Sequence, residues 1–303
     1  MNAKLKKLVL PIGLAVFALT SSVLGFSGVL KHSVNKALYA DWMKGLDDNT
    51  SLRDVNMPGS HDTMALYSIG DLAGQCQSLS LKDQLNVGVR FLDIRLKLDK
   101  NELKAVHGIV DEKSAFKEIT EVVEAFLEEN KSEFIIMSVK EEATANASSI
   151  SFDDAVKELT NKDIYLKERT LPSKVGDIRG KVVILSRYQN STIGIDAFEG
   201  WQDSTSFVLP NNDIYVQDTF RITSAEQKQD EIISCFKESG HALKINFLSA
   251  YRTNGFPPSY APSAAKDINP WINKEIKNYH DRGIVLYDFV TSENMEVFFG
   301  GNE

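Results

Sequence analysis

The sequence predicts a parallel α/β fold, a single-domain barrel of alternating strands and helices. Three observations predict it. Apolar runs such as Phe134-Ile135-Ile136-Met137 and Val182-Val183-Ile184-Leu185 are short and continuous, as strands buried on both faces of a parallel sheet require. Amphipathic helical stretches lie between such runs. No Gly-rich phosphate loop follows the first strand, which favours a barrel over an open nucleotide-binding sheet.

The elements follow in order. The 303-residue chain carries Lys4, Lys6 and Lys7, then 23 residues without charge from Leu8 to Leu30. That is the pattern of an export signal or of a retained membrane anchor, and residues 1–40 are assigned to it. Either reading places the folded part, residues 41–303, outside the cytoplasm. Candidate strands are Arg53–Met57, Val89–Leu98, Glu133–Lys140, Lys181–Arg187, Ile214–Gln217, Leu243–Leu248 and Gly283–Phe289, with a weak eighth near Ile164–Lys167. Residues 114–130 place Phe116, Ile119, Val123, Phe126 and Leu127 on one helical face. Residues 223–238 open with Thr223 and Glu226 at capping-box spacing.

Composition bounds the function. Lys and Arg number 34 against 42 Asp and Glu, a formal charge of −8, with 43% apolar and 25% charged residues. A chain of this kind is neither disordered nor multispanning. Without residues 1–40 it carries 29 basic and 42 acidic residues, or −13. So acidic a body makes a poor nucleic-acid binder. Two cysteines, Cys76 and Cys235, form no disulfide framework, and Cys235 is expected to face the core.

Chemistry concentrates in a few places. Of five histidines, His32 lies in the N-terminal segment, His280 follows a polar helix end, and His241 sits at a helix terminus. His61 follows a short strand in Met57-Pro58-Gly59-Ser60-His61-Asp62-Thr63, where parallel barrels place catalytic groups. His107 ends another β-type run, before Gly108, whose missing side chain would let a ligand approach closely. Between them, Asp93 and Arg95 are two apart on a strand and share a face. Taken singly, each histidine is more often structural than catalytic. The Asp93–Arg95 pair reads equally as an ion pair holding the barrel together.

Taken together these segments resemble bacterial phosphatidylinositol-specific phospholipase C. The resemblance rests on Pro58 to Asp62, Gly88 to Arg95 and His107-Gly108. It continues through Phe134 to Lys140, Gly176 to Lys181 and Val216-Gln217-Asp218, and ends with Tyr287-Asp288. It implies a distorted, imperfectly closed (β/α)8 barrel of the TIM type. It also implies attack of the inositol 2-hydroxyl on the adjacent phosphodiester, releasing diacylglycerol and a cyclic inositol phosphate. By the same resemblance His61 is the general base, His107 the general acid and Arg95 the phosphate-stabilising cation. Asp288 supports the base and Asp62 the acid. Lys140, Arg187, Asp218 and Phe220 contact the inositol.

The residue chemistry agrees with these roles. Two imidazoles titrating near neutrality serve as base and acid together. A guanidinium fork matches a phosphate. The nucleophile belongs to the substrate. In calcium-dependent relatives a carboxylate stands where Arg95 stands here, so no metal or other cofactor is expected. Phosphatidylinositol is the expected partner, with glycosylated inositol anchors left open, transient contact with a membrane surface, no nucleic acid, and a monomeric state.

Two departures from the family's pattern stand out. Phe220 replaces a Tyr, which removes a hydroxyl. Leu66–Leu79 carries no Trp for entering lipid, leaving the loop from Gly255 to Tyr260 as the candidate aromatic rim. The competing readings are a non-catalytic lipid- or carbohydrate-binding barrel and a metal-dependent glycerophosphodiester hydrolase. The first should have lost a site residue. The second needs more acidic ligands than Asp54, Asp62 and Asp71.

Overall fold

The computed structural model describes residues 39–68, 74–253 and 260–300. The charge-free N-terminal run, His32, Asp71 and positions 255–259 of the candidate rim lie outside the described residues.

The chain runs β1 (Met57–Ser60), α1 (Leu81–Asn86), β2 (Phe91–Asp99), β3 (Glu102–His107), β4 (Val110–Ala115), α2 (Phe116–Glu129) and β5 (Ile135–Asn146). It continues with α3 (Phe152–Leu159), β6 (Tyr165–Leu166), β7 (Val182–Arg187), β8 (Ile195–Asp196), β9 (Ser206–Leu209) and β10 (Ile214–Gln217). β11 (Arg221–Ile222), α4 (Ala225–Lys237), β12 (Leu243–Phe247), β13 (Tyr251–Arg252), α5 (Ala261–Glu275), β14 (Ile284–Tyr287) and α6 (Ser292–Gly300) complete it.

The sheet order is β6-β7-β5-β2-β1-β14-β12-β10-β9. Every neighbour pair from β6 to β10 is parallel, and β9 closes that edge antiparallel to β10. Among the described residues no pairing joins the β6–β7 end to the β9–β10 end, so the barrel is open on one side. The weak eighth strand exists as β6, lying beyond β7 instead of between β5 and β7.

Side-chain alternation explains what each strand carries. Ile94, Leu96, Met137, Val139, Ile184 and Val285 join α2, α4 and α5 in one apolar layer. Met57, Phe91, Ile136, Val183, Leu185, Ile214, Val216, Ile245, Phe247, Ile284 and Leu286 fill the barrel interior. Following the interior face by steps of two ends each strand in a polar group: Met57-Gly59-His61, Phe91-Asp93-Arg95, Ile136-Ser138-Lys140, Leu185-Arg187, Val216-Asp218 and Leu286-Asp288. One end of the barrel is therefore apolar inside and the other is lined with charge.

Some elements differ from expectation. The first strand begins at Met57, and Leu52–Asp54 is a short 3-10 turn. Gly59 lies inside this strand and is required there, because a Cβ would lie 2.9 Å from the Phe91 Cβ and 3.0 Å from the Leu286 Cγ. The β3–β4 hairpin carrying His107 is antiparallel and departs from simple βα alternation. Helix α4 caps one residue later than its sequence suggests: the Ser224 hydroxyl accepts the Gln227 N–H at 3.2 Å, and the Gln227 Oε1 accepts from the Thr223 N–H at 2.8 Å. Tyr39 and Ala40, assigned to the N-terminal segment, belong to the folded unit. Tyr39 stacks on Phe299, with ring centroids 4.4 Å apart, and both carbonyls accept from Arg90.

Candidate active site

The polar strand ends converge. On adjacent strands β2, β5 and β7, Arg95 aligns with Lys140 and Lys140 with Arg187, a row of three cations across the sheet. On the neighbouring strands β1 and β14, Ser60 aligns with Tyr287, which sets His61 beside Asp288.

His61 is held from both ring nitrogens. Its Nδ1 lies 2.7 Å from the Asp288 Oδ1, and the Arg95 Nη2 lies 2.8 Å from its Nε2. A guanidinium only donates, so Nε2 presents its lone pair and Nδ1 carries the proton given to Asp288. Burial disfavours the charged ring, Asp288 favours it and Arg95 opposes it; the net effect lifts His61 above the usual histidine value.

Arg95 is anchored by Asp93, whose Oδ2 accepts from its Nε at 3.2 Å and from its Nη2 at 3.0 Å. The other oxygen of Asp93 accepts from the Arg187 Nη1 at 3.0 Å. Burial works against an ionised Asp93, but Arg95, Arg187 and His61 outweigh it and hold its carboxyl well below the usual range. Both sequence readings of the Asp93–Arg95 pair therefore hold at once: it is a buried ion pair, and it aims Arg95 at His61.

His107 stands at the end of β3. Its Nδ1 donates to the Gly74 carbonyl at 2.6 Å, and its Nε2 lies 3.6 Å from the Asp62 Oδ2. The Asp62 backbone has φ of +39°, a left-handed conformation that costs energy in any residue with a side chain. The turn is clamped onto β2, with the Asp62 N–H on the Asp93 Oδ2 at 3.1 Å and the Thr63 N–H on the Asp93 carbonyl at 2.9 Å. Burial raises the Asp62 carboxyl, against the pull of Arg95 and His107. Gly108 has φ of +57°, the left-handed conformation its hairpin turn uses, with open space around it.

The remaining expected residues occupy the same end of the barrel. Lys140 pairs with Glu142 at 2.6 Å. Arg187 lies 3.6 Å over the Trp201 ring, and the Trp201 indole donates to the Asp218 Oδ2 at 3.2 Å. Phe220 packs beside Tyr251, with centroids 5.9 Å apart.

Sequence reasoning missed several supporting groups. Glu142 lies two after Lys140 and was open to the same alternation argument that paired Asp93 with Arg95. Trp201 joins Arg187 to Asp218 from an irregular segment and gives no periodic signal. Gln77 is buried, and its Nε2 donates to the His61 and Tyr287 carbonyls, both at 2.8 Å. It thereby fixes the ends of β1 and β14 against each other. Buried Lys228 donates to the Gln217 Oε1 at 3.0 Å and the Thr219 carbonyl at 2.7 Å, bracing the strand end that bears Asp218. Burial brings its pKa down to about 8. Two expectations about histidines resolve simply. His280 is exposed, and His241 pairs with the Asp213 carboxylate at 2.7 Å and not with a helix terminus alone.

Such a constellation can take a proton at one imidazole, give one at the other, and hold an anion between them. The chain as a whole is similar to known proteins. A family model described as phosphatidylinositol-specific phospholipase C, X domain, matches residues 55–188. The chain is 28% identical over 285 residues to the 1-phosphatidylinositol phosphodiesterase of Listeria monocytogenes, spanning 89% of this chain and 87% of that protein. The solved phosphatidylinositol-specific phospholipase C of the same organism has a TM-score of 0.71 at 25% identity, covering 89% of this chain and 100% of its own. A point mutant of the Staphylococcus aureus enzyme has a TM-score of 0.75 at 22% identity, covering 87% and 98%, and shows the shared fold.

Proposed function

We propose that the chain is a phosphatidylinositol-specific phospholipase C of the X-domain kind, whose family model matches residues 55–188, and that it cleaves phosphatidylinositol to diacylglycerol and inositol 1,2-cyclic phosphate. The observation that carries this reading is the contact series Asp288–His61–Arg95, with His107 facing Asp62 beside it.

In this mechanism the bare Nε2 of His61 takes the proton of the inositol 2-hydroxyl, and that oxygen attacks phosphorus. Asp288 stabilises the imidazolium that results. Arg95, tethered by Asp93, turns from Nε2 to the phosphoryl oxygens, where charge develops in the transition state. His107 in its protonated form keeps Nδ1–H on Gly74 and gives its Nε2 proton to the departing diacylglycerol oxygen. Attack by a group of the same molecule supplies the proximity advantage. Lys140, Arg187, Asp218 and Phe220 hold the inositol ring.

The reaction is metal-independent in this reading, because Arg95 already places a fixed cation among Asp62, Asp93 and Glu142. Glycosylated inositol anchors share the reacting bonds and are candidate substrates. The folded part works outside the cytoplasm as a monomer and touches its membrane transiently. Ile109, 92% exposed at the hairpin tip two residues beyond His107, would meet the lipid first.

The test is incubation with phosphatidylinositol vesicles in excess chelator, followed by phosphorus NMR. A five-membered cyclic phosphate should form, and the His61→Ala protein should make none. Loss of activity with chelator, or an unchanged rate in the variant, would remove the mechanism.

A further inference from the structure

We propose that Asp62, Cys76 and His107 form a binding site for a thiophilic divalent cation, of the Zn2+ or Cd2+ kind, and that filling it shuts the enzyme off. One ligand atom from each of the three lies within 4.8 Å of the others.

Three features distinguish this triple from a chance grouping. First, the His107 Nδ1 is committed to the Gly74 carbonyl, so neutral His107 turns a bare Nε2 toward Asp62. Second, the facing Asp62 Oδ2 is buried and has no hydrogen-bond partner. Third, the 3.6 Å between these two atoms is too long for a hydrogen bond. It suits two ligands of one tetrahedral ion, since bonds of about 2.0–2.2 Å give edges of roughly 3.3–3.6 Å.

Cys76 supplies the third ligand. Its thiol is buried and makes a weak 3.8 Å contact to the Gly74 carbonyl. The neighbouring triple of His61, Cys76 and Asp288 lacks this opportunity, because both nitrogens of His61 are engaged.

The donor set selects the metal. Thiolate, imidazole and carboxylate favour Zn2+ or Cd2+ over Mg2+ or Ca2+, which want oxygen shells. Three protein ligands leave a fourth position for water, facing the cleft through which His107 is partly exposed. Binding replaces the thiol proton by the metal and releases that proton to solvent. Arg95 opposes the cation from 3.6 Å beyond Asp62, while the new thiolate and Asp288 add negative charge. The ion is an inhibitor and not a cofactor: it occupies the His107 nitrogen that must deliver the proton. Only the inhibition rests on the proposed function; the binding does not.

The experiment uses the full chain stripped with chelator. Cd2+ is titrated while the thiolate-to-metal charge-transfer band is followed in the ultraviolet, and Zn2+ is titrated against phosphatidylinositol cleavage. The band should saturate at one ion per chain, and Zn2+ inhibition should reverse with chelator. Cys76→Ser should keep its basal rate, lose the band and tolerate more than about 100-fold more Zn2+, beyond what loss of an outer contact costs. His107→Gln, followed by the band alone, should likewise bind Cd2+ more than about 100-fold more weakly. No band in the parent protein, Zn2+ sensitivity unchanged in Cys76→Ser, or unweakened Cd2+ binding in His107→Gln would each overturn the site. A chain that binds Cd2+ as described but cleaves no phosphatidylinositol would keep this site and refute the catalytic reading instead.

Discussion

Two arginines lie five residues apart, Arg90 just before strand β2 and Arg95 within it, and their surroundings are opposite. Arg90, at the apolar end of the barrel, is fully buried and filled. Its Nε and Nη2 meet Glu133 at 2.9 and 2.8 Å, its Nη1 donates to the Leu85 and Val89 carbonyls, and its Nη2 also reaches Ala40. Arg95, at the charged end, shares its Nη2 between Asp93 and the lone pair of His61, and its Nη1 has no protein hydrogen bond among the described residues. Around it, the Asp62 Oδ2 and the Asp288 Oδ2 are buried without hydrogen-bond partners. A group with every donor spent can only hold the chain together. A group with donors to spare, ringed by unspent acceptors, is arranged for something that arrives later.

Removing one partner at the filled end should cost the most. Glu133→Gln leaves Arg90 buried without its counter-ion, and loss of about 3–5 kcal/mol of stability is expected. Urea titration followed by circular dichroism measures it. The specific activity of the protein that remains folded should match the parent's. If stability is unchanged, the filled end is not what fixes the barrel.

The charged end should behave in the opposite way. Arg95→Ala is expected to lower the cleavage rate by about 100-fold to 1000-fold, the cost of one transition-state donor. Its unfolding midpoint should fall by less than that of Glu133→Gln, because Arg187 still pairs with the buried Asp93. A large drop in stability with an intact rate would reverse the assignment of the two ends.

Asp288→Asn sharpens the same contrast through pH. Asp288 raises the His61 pKa, so the bare imidazole proposed as the base appears only above the ordinary histidine value. Without the carboxylate the folded pKa falls, and the acid limb of the rate profile should move to lower pH, with a lower plateau. The stability sign follows. A raised histidine pKa adds stability below about pH 6.5 that is lost as pH rises through the folded value, and the variant should lack that extra stability at low pH. An acid limb that stays in place would detach Asp288 from the base.

The sequence made much of this legible, and unevenly. The strands showed because buried parallel strands are continuous apolar runs. The charged face showed because Asp93 and Arg95 obey a period of two, whereas Asp288 was legible only through the family resemblance. The start of β1 did not show, since Pro58 and Gly59 satisfy a tight approach to β2 and β14 that only the assembled sheet reveals. Gln77, Trp201 and Cys76 act from irregular segments, where no period announces which way a side chain turns. Their partners lie far away in the chain: Gln77 to Tyr287 spans 210 residues. The open side of the barrel was likewise beyond local reading, because it depends on which strands fail to pair.

The smallest effect concerns the rim of the charged end, where Phe220 is the one departure among the expected ring-binding residues. Phe220 lies beside Tyr251, and its N–H donates to the Ser204 hydroxyl, so its backbone is fixed. Phe220→Tyr adds a hydroxyl to a side chain that is already placed and partly exposed. A new hydrogen bond to an inositol hydroxyl is worth about 0.5–1.5 kcal/mol, or roughly 2-fold to 10-fold in binding. If the bond forms equally in the bound substrate and in the transition state, KM falls by that factor while kcat stays put. Steady-state kinetics on a water-soluble inositol phosphodiester, free of membrane effects, separates the two constants. A fall in kcat instead would place Phe220 against the reacting groups, and so move the boundary between the part of this cleft that binds and the part that reacts.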